Sequence, residues 1–338
     1  MTFSYPRYLE AKRTVDDRAR HPRVWTAFLE AASDIAAKHA ERPIRVLEIG
    51  AGVGDLATKI LDELESEAVD YTVLDVNADN LDRAIERMAW SLDVEATQSD
   101  GVVSIPGRSH RIRFVKGDIT SFANRGREEG DGRIYDVIVG QAIIDILPTH
   151  ISLRIIRSLL AEGGLAYLPI HVDGLTAFEP TENHDMDDCI MSLYHDTMTR
   201  VYSIDASWTL DPSDANGSNS DRPDGAGTGN ETASVQSDGA RCGRDLLVYA
   251  NRAGFNIVDA GSSDWLVRPD PTTGRYVGQE DYFLSCMLHF VEEALTDNAS
   301  IDRSQLEDWL ARRRRQLDDA ELILLVHNLD VLLRRQSP

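Results

Sequence analysis

Glu48, Gly50, Gly52 and Gly54 stand at alternate positions in I-R-V-L-E-I-G-A-G-V-G-D, the stretch from Ile44 to Asp55. An acid followed by spaced glycines is suited to bringing backbone against a ligand while a carboxylate faces it. Glycine is needed because the chain must turn tightly and let the ligand come within van der Waals contact. A second acid, Asp75, closes most of the run Y-T-V-L-D-V-N. It lies about 20 residues beyond Gly54, the spacing at which a second strand presents a carboxylate to ribose hydroxyls. A third, Asp118, follows Gly117 in R-F-V-K-G-D-I, and Gln141 follows Gly140 after Y-D-V-I-V. Farther along, His171, Asp173, Glu179, Asp185 and His195 gather in one region. A histidine that titrates near neutrality can take a proton from an attacking hydroxyl or amine, which makes His171 the candidate base. His171, His184 and His195 match no metal-ligand spacing, so no metal is expected.

The hydrophobic pattern supplies the elements that must hold these residues. Ile44 to Ile49 is apolar and β-branched, as expected of a strand buried on both faces of a parallel sheet. Leu56, Ile60, Leu61 and Leu64 resume at helical spacing after the glycines. Strand, glycine turn and helix open a nucleotide-binding βα unit. A dinucleotide fingerprint would need glycine at the sixth position from Gly50, where Asp55 stands, so that pattern fails. Helices are expected at Arg23 to His39, Asn80 to Leu92, His150 to Leu160 and Asp245 to Ala253. Strand and helix alternate as far as Leu168, which implies parallel βαβ units with right-handed crossovers. Asp211 to Ala240 is rich in Ser, Gly, Asn and Asp with no aromatic residue, and is expected to be a disordered insertion. Phe255 to Ala260 and Trp265 to Arg268 read as the last two strands. Glu280 to Leu295, Arg303 to Leu317 and Asp319 to Arg335 then read as helices, with Ser304-x-x-Glu307 as a capping box.

Taken in order, Glu48-x-Gly50-x-Gly52-x-Gly54, Asp75, Gly117-Asp118-Ile119, Gly140-Gln141 and the turn Glu162-Gly163-Gly164 resemble the motifs of the class I, Rossmann-like S-adenosylmethionine (SAM) methyltransferases. Ala161 and Glu162 depart from the proline usual at the last of these. The resemblance implies an α/β fold: a doubly wound, mostly parallel seven-stranded sheet whose last strand is antiparallel. It also implies an N-terminal helical cap over residues 1–42, a SAM-binding domain over 43–270 and a C-terminal helical extension over 271–338. Glu48, Gly50, Ala51, Gly52, Gly54, Asp75, Val76, Asp118, Ile119 and Gln141 would hold the cofactor. SAM carries a cationic sulfonium and no pyrophosphate, so an acid at the first strand end suits it. Tyr8 and Arg18, in the N-terminal segment, become candidates for pocket residues.

Composition narrows the partners. The chain has 338 residues, 42% of them hydrophobic, enough for one large domain or two. Cys189, Cys242 and Cys286 show no metal or disulfide spacing and the N-terminus shows no signal core, so a reduced, cytoplasmic protein is expected. The net charge is −22, with only four lysines, and the acids are spread along the whole length. An acidic face for a basic partner and a whole-surface adaptation to high salt both fit; even spread and lysine scarcity favour the halophilic reading. Neither nucleic-acid nor membrane binding is expected. The Asn/Asp-Pro-Pro-aromatic motif of base-amino DNA methyltransferases is absent after the fourth strand, as is a cysteine suited to cytosine chemistry. A small-molecule acceptor is left by elimination. The terminal helices could cover its pocket or build a homodimer. Two rivals stay open: a SAM-binding partner subunit without catalysis, and a nicotinamide-dependent oxidoreductase on a similar sheet.

Overall fold

A computed structural model describes residues 3–91, 102–104, 109–128, 134–146, 148–209 and 232–337. Five parallel strands form its centre: β1 (Ile44–Ile49), β2 (Ala68–Asp75), β4 (Ser109–Lys116), β5 (Tyr135–Val139) and β6 (Leu160–Glu179). They lie in the order β4-β2-β1-β5-β6, with β1 in the middle paired to β2 and β5. Each crossover carries a helix: α3 (Asp55–Glu63), α4 (Ala78–Ser91), α5 (Ile119–Glu128) and α6 (Thr149–Leu159). Every residue of β5 is buried, as a strand covered on both faces requires.

Beyond β6 the direction reverses. Strand β11 (Ile323–Arg335) runs antiparallel along β6, and β9 (Phe255–Ser262) runs antiparallel along the far edge of β11. This completes a doubly wound seven-stranded sheet with one reversed strand, as the motifs implied. Two short strands are added: β10 (Trp265–Val267), which follows β9 along β11, and β3 (Val102–Ser104), at the opposite edge. The reversed strand is not where the sequence placed it. Trp265 to Arg268 supplies only the short β10, and Asp319 to Arg335, read as a helix, supplies the long β11. Leu324, Val326, Asn328 and Asp330 alternate inward, a period of two that the neighbouring apolar pairs disguise. Pairing against β6 over most of its length decides the matter, since strand propensity depends on such context.

Residues 271–322 are therefore an insertion between the sixth and seventh strands, and residues 271–338 as a whole are not a helical extension. The insertion holds α9 (Glu280–Leu295) and α10 (Arg303–Asp318). Asp302, and not a Ser304–Glu307 box, caps α10, accepting from the backbone of Ser304 at 2.9 Å and Gln305 at 3.3 Å. Glu307 turns instead to Arg303. At the N-terminus, α1 (Tyr5–Ala19) packs against α9, while α2 (Pro22–Lys38) belongs to the sheet's own covering layer. Phe28 on α2 stacks on Tyr167 of β6 at 4.6 Å. Only α1 acts as a cap.

The disorder expected over Asp211 to Ala240 does not hold for its last nine residues. Residues 210–231 lie outside the described residues, but β8 (Thr232–Gln236) pairs with β7 (Val201–Asp205), and Ser237, Gly239 and Ala240 are buried. The remaining helices are α7 (His184–Thr197) and α8 (Cys242–Tyr249). No helix among the described residues is long and apolar enough to cross a membrane.

Candidate active site

The turn after β1 is built from backbone that only glycine adopts easily. Gly50, Gly52 and Gly54 have φ of 61°, 55° and 77°. A Cβ on Gly50 would lie 2.5 Å from the Ile143 side chain. Gly54 is the left-handed residue from which α3 starts, packed against Ala84 of α4, so it shapes the turn. Asp75, at the end of β2, pins the turn from the side. Its Oδ2 accepts from Gly52 N–H at 2.8 Å, and its Oδ1 accepts from Asn77 N–H at 2.8 Å and from the Asn80 amide at 3.2 Å.

A cavity of about 1230 Å³ opens over this turn, at the carboxyl ends of the parallel strands. Glu48, Gly50, Ala51 and Gly52 line it from β1 and its turn, and Asp75 and Val76 from β2. Asp118 and Ile119 follow β4, and Gln141 follows β5. Residues from four separate strand ends thus meet in one place, with Gly54 just behind them. Asp118 accepts from Ser121 N–H at 2.9 Å and from its hydroxyl at 2.6 Å. Burial pushes the Asp118 carboxyl up, but these bonds and one from Thr120 outweigh it and hold it low. Gln141 spans to α1, donating to Asp16 Oδ2 at 2.9 Å and accepting from Arg20 at 3.0 Å.

Glu48 is buried and accepts a 2.9 Å hydrogen bond from the Tyr71 hydroxyl. Burial pushes its carboxyl up to about 8; the nearby acids Asp55 and Asp75 add to this, against the Tyr71 bond. Such a group is poised to regain its charge when a cation arrives beside it.

A family model described as a methyltransferase domain matches residues 17–187. The chain belongs to this methyltransferase family. No curated protein matches the sequence. Among solved structures, the cyclopropane synthase MmaA2 from Mycobacterium tuberculosis is similar at 11% identity, over 92% of this chain and 84% of that one, with a TM-score of 0.39. Phosphoethanolamine N-methyltransferase 2 of Haemonchus contortus, solved in complex with SAM, is similar at 12% identity, over 90% of this chain and 52% of that one, with a TM-score of 0.37.

The cofactor of this methyltransferase is SAM, and the cavity's chemistry fits it. The glycine turn leaves no side chain between backbone and ligand, Glu48 suits a cation, and Asp75 stands at the strand end where ribose hydroxyls are held. His171 does not fit the role of base. It is buried, does not line the cavity, and has both ring nitrogens occupied. Nε2 faces Ile144 N–H at 3.3 Å and Nδ1 faces Leu168 O at 3.2 Å, which puts the proton on Nδ1. Burial lowers its pKa to about 4. Of the other polar residues in that region, Asp173 is bound by Arg244 and His195 bonds Thr176 Oγ1 at 3.0 Å. Among the described residues no three His, Cys, Asp or Glu side chains are grouped to hold a metal.

Tyr8 lines the cavity, whereas Arg18 lies outside it, bonded to Glu280 at 2.6 Å. Sequence reasoning missed Lys12 and Tyr5 on α1, Asp145 after β5, Tyr194 and Arg200 around α7, and Trp265 and Phe290. One of these carried a signal: Asp145 is a single acid inside the apolar run I-I-D-I-L.

Proposed function

We propose that this methyltransferase acts on a small molecule. The observation that carries the reading is the cavity: one space runs from the glycine turn to a wall built from α1, α7 and α9, so donor and acceptor would share a pocket roofed by helices. Glu48, Gly50, Ala51, Gly52, Asp75, Val76, Asp118, Ile119 and Gln141 surround the donor in this reading, and Gly54 sets their turn. Bound SAM supplies an electrophilic methyl group on a cationic sulfur. The chain's own contribution is then proximity and orientation, which can lower a barrier by about 7–11 kcal/mol where alignment is good. Gln141 serves twice, facing the donor and tying α1 down through Asp16 and Arg20. Of the two inserted helices α9 covers the pocket, bringing Met287, Phe290 and Glu293 to its lining.

Calorimetric titration in molar KCl with SAM, S-adenosylhomocysteine and NAD tests the donor site. Binding of the first two without the third is expected; binding of NAD alone would overturn the reading. Incubation with methyl-labelled SAM and a cell-extract metabolite pool tests the rest. Label is expected in a low-mass product, and its confinement to macromolecules would refute a small acceptor.

A further inference from the structure

Asp145 sits in a 3-10 turn, Ile144–Ile146, just past β5 and therefore at the strand ends where the donor's reactive end would lie. It lines the cavity. Its Oδ1 is closed off from solvent and has no hydrogen-bond partner among the described residues. Leaving a buried acceptor unmade costs about 1–3 kcal/mol, a deficit that a donor group on a bound ligand would remove.

The turn carrying Asp145 is held firmly. His171 supplies the acceptor for Ile144 N–H, and its low pKa keeps that lone pair free of a proton at neutral pH. Ala142 and Ile170 flank this contact with φ of 49° and 59°. Non-glycine residues held in the left-handed region cost energy and cluster at ligand clamps and active sites. The histidine that the sequence offered as a base is instead the residue that positions a carboxylate.

The groups facing Asp145 come from several elements. Tyr5 and Lys12 project from α1, Tyr194 from α7, Arg200 from the start of the β7 hairpin and Cys242 from α8, and each interacts electrostatically with Asp145. Tyr5 also interacts electrostatically with Asp75 and lines the same cavity. Burial raises the Asp145 carboxyl to about 6 while its own backbone N–H, Lys12 and Arg200 oppose the rise, which leaves it ionised at neutral pH and able to accept a proton. Lys12 is already paired with Asp16 at 3.1 Å. Arg200 is exposed, lines the cavity and makes no side-chain hydrogen bond or ion pair among the described residues. In a chain of net charge −22, a guanidinium left open beside a cavity is set to meet an anion from a ligand. Tyr8, Tyr194, Trp265 and Phe290 give the same space aromatic walls.

Building on the small-molecule reading, we propose that Asp145 is the catalytic base and Arg200 the anion anchor of an acceptor subsite for an aromatic hydroxy acid. The acceptor's hydroxyl donates to Asp145 and its carboxylate pairs with Arg200. Its oxygen forms a bond to the methyl carbon as the carbon–sulfur bond breaks and sulfur keeps the electron pair. The hydroxyl proton passes to Asp145 and on to water, leaving a neutral thioether and a methyl ether.

The probe is 4-hydroxycinnamate, titrated into protein loaded with S-adenosylhomocysteine, beside 4-methoxycinnamate, which lacks the proton, and methyl 4-hydroxycinnamate, which lacks the anion. The hydroxy acid is expected to bind about tenfold or more tightly than either analogue. Asp145→Ala should erase its advantage over the methoxy compound, and Arg200→Met its advantage over the ester. S-adenosylhomocysteine should bind both variants within about twofold of the parent, which also shows them folded. Equal affinity for the three probes overturns the proposal. So does parental selectivity in the variants, or failure of the hydroxy acid to bind protein that holds S-adenosylhomocysteine. Failure of S-adenosylhomocysteine itself to bind would instead strike at the donor site.

Discussion

Glu48 and Asp75 are both acids at strand ends beside the glycine turn, yet their environments differ. Asp75 receives three hydrogen bonds, two of them from backbone N–H groups, whereas Glu48 receives one, from Tyr71. The folded protein holds the Glu48 proton up to about 8, while an unfolded chain releases it near the ordinary value of 4.5. Between those values the folded state binds the extra proton, so the contribution of Glu48 to stability falls as pH rises. Glu48→Gln removes the ionisation and keeps an acceptor for Tyr71. Its melting temperature relative to the parent should climb between about pH 5.5 and about pH 8.5, by an amount of about 3 kcal/mol or about 4 °C. A constant difference across that range would show that Glu48 titrates normally. Asp75→Ala should weaken SAM binding by about tenfold or more, since it removes the proposed ribose contact and frees the Gly52 amide. Calorimetry on a variant with parental circular dichroism checks this, and unchanged affinity would place the ribose elsewhere.

At the scale of elements, β11 decides whether the sheet closes. It separates β6 from β9 and β10, so the two outer strands depend on it for pairing. Its Asp330 is fully buried and joins distant parts of the chain, accepting from His21 N–H at 2.9 Å, Ile170 N–H at 2.9 Å and the Tyr167 hydroxyl at 3.2 Å. One carboxylate thus fixes the entry to α2, the left-handed residue of β6 and an aromatic of the core. Asp330→Ala leaves three donors unmet, and at about 1–3 kcal/mol for each such loss the cost should be about 3 kcal/mol or more. A fall in the urea midpoint with unchanged slope is the expected result. A variant as stable as the parent would mean that water or a neighbour satisfies these donors.

At the scale of the whole molecule, we propose that the acidic surface is an adaptation to high salt. A net charge of −22 spread along the sequence repels itself, and the Debye length shrinks to about 3 Å in molar salt. The melting temperature should rise steadily between low and molar KCl, and should rise similarly in potassium chloride and sodium chloride. A melting temperature that is flat or falling with salt would favour the other reading of the charge, an acidic face kept for a basic partner. The paired arginines moderate the effect only locally: Arg42 on Asp136 and Arg313 on Asp187 are short, partly buried pairs at 2.6 Å.

The parallel half of this fold was legible in the sequence because its signals are local. A strand buried on both faces must be continuously apolar, and a tight turn against a ligand must be glycine, so Ile44 to Gly54 declared itself, and Asp75, Asp118 and Gln141 followed at strand ends. Nothing local marked the antiparallel half. Ile323 to Arg335 has the composition of a helix and becomes a strand only because β6 offers an unpaired edge. His171 has the chemistry of a base, and only packing shows both its nitrogens committed to backbone. Asp145, Arg200, Tyr8 and Trp265 are far apart in the chain, and no spacing rule joins them. The proposed donor half was legible in the sequence because each of its residues stands at or just past the end of an apolar strand, and a parallel sheet brings those strand ends together. The proposed acceptor half emerged only from the tertiary structure, because its side chains meet only after α1, α7, α9 and β11 have packed around the strand ends.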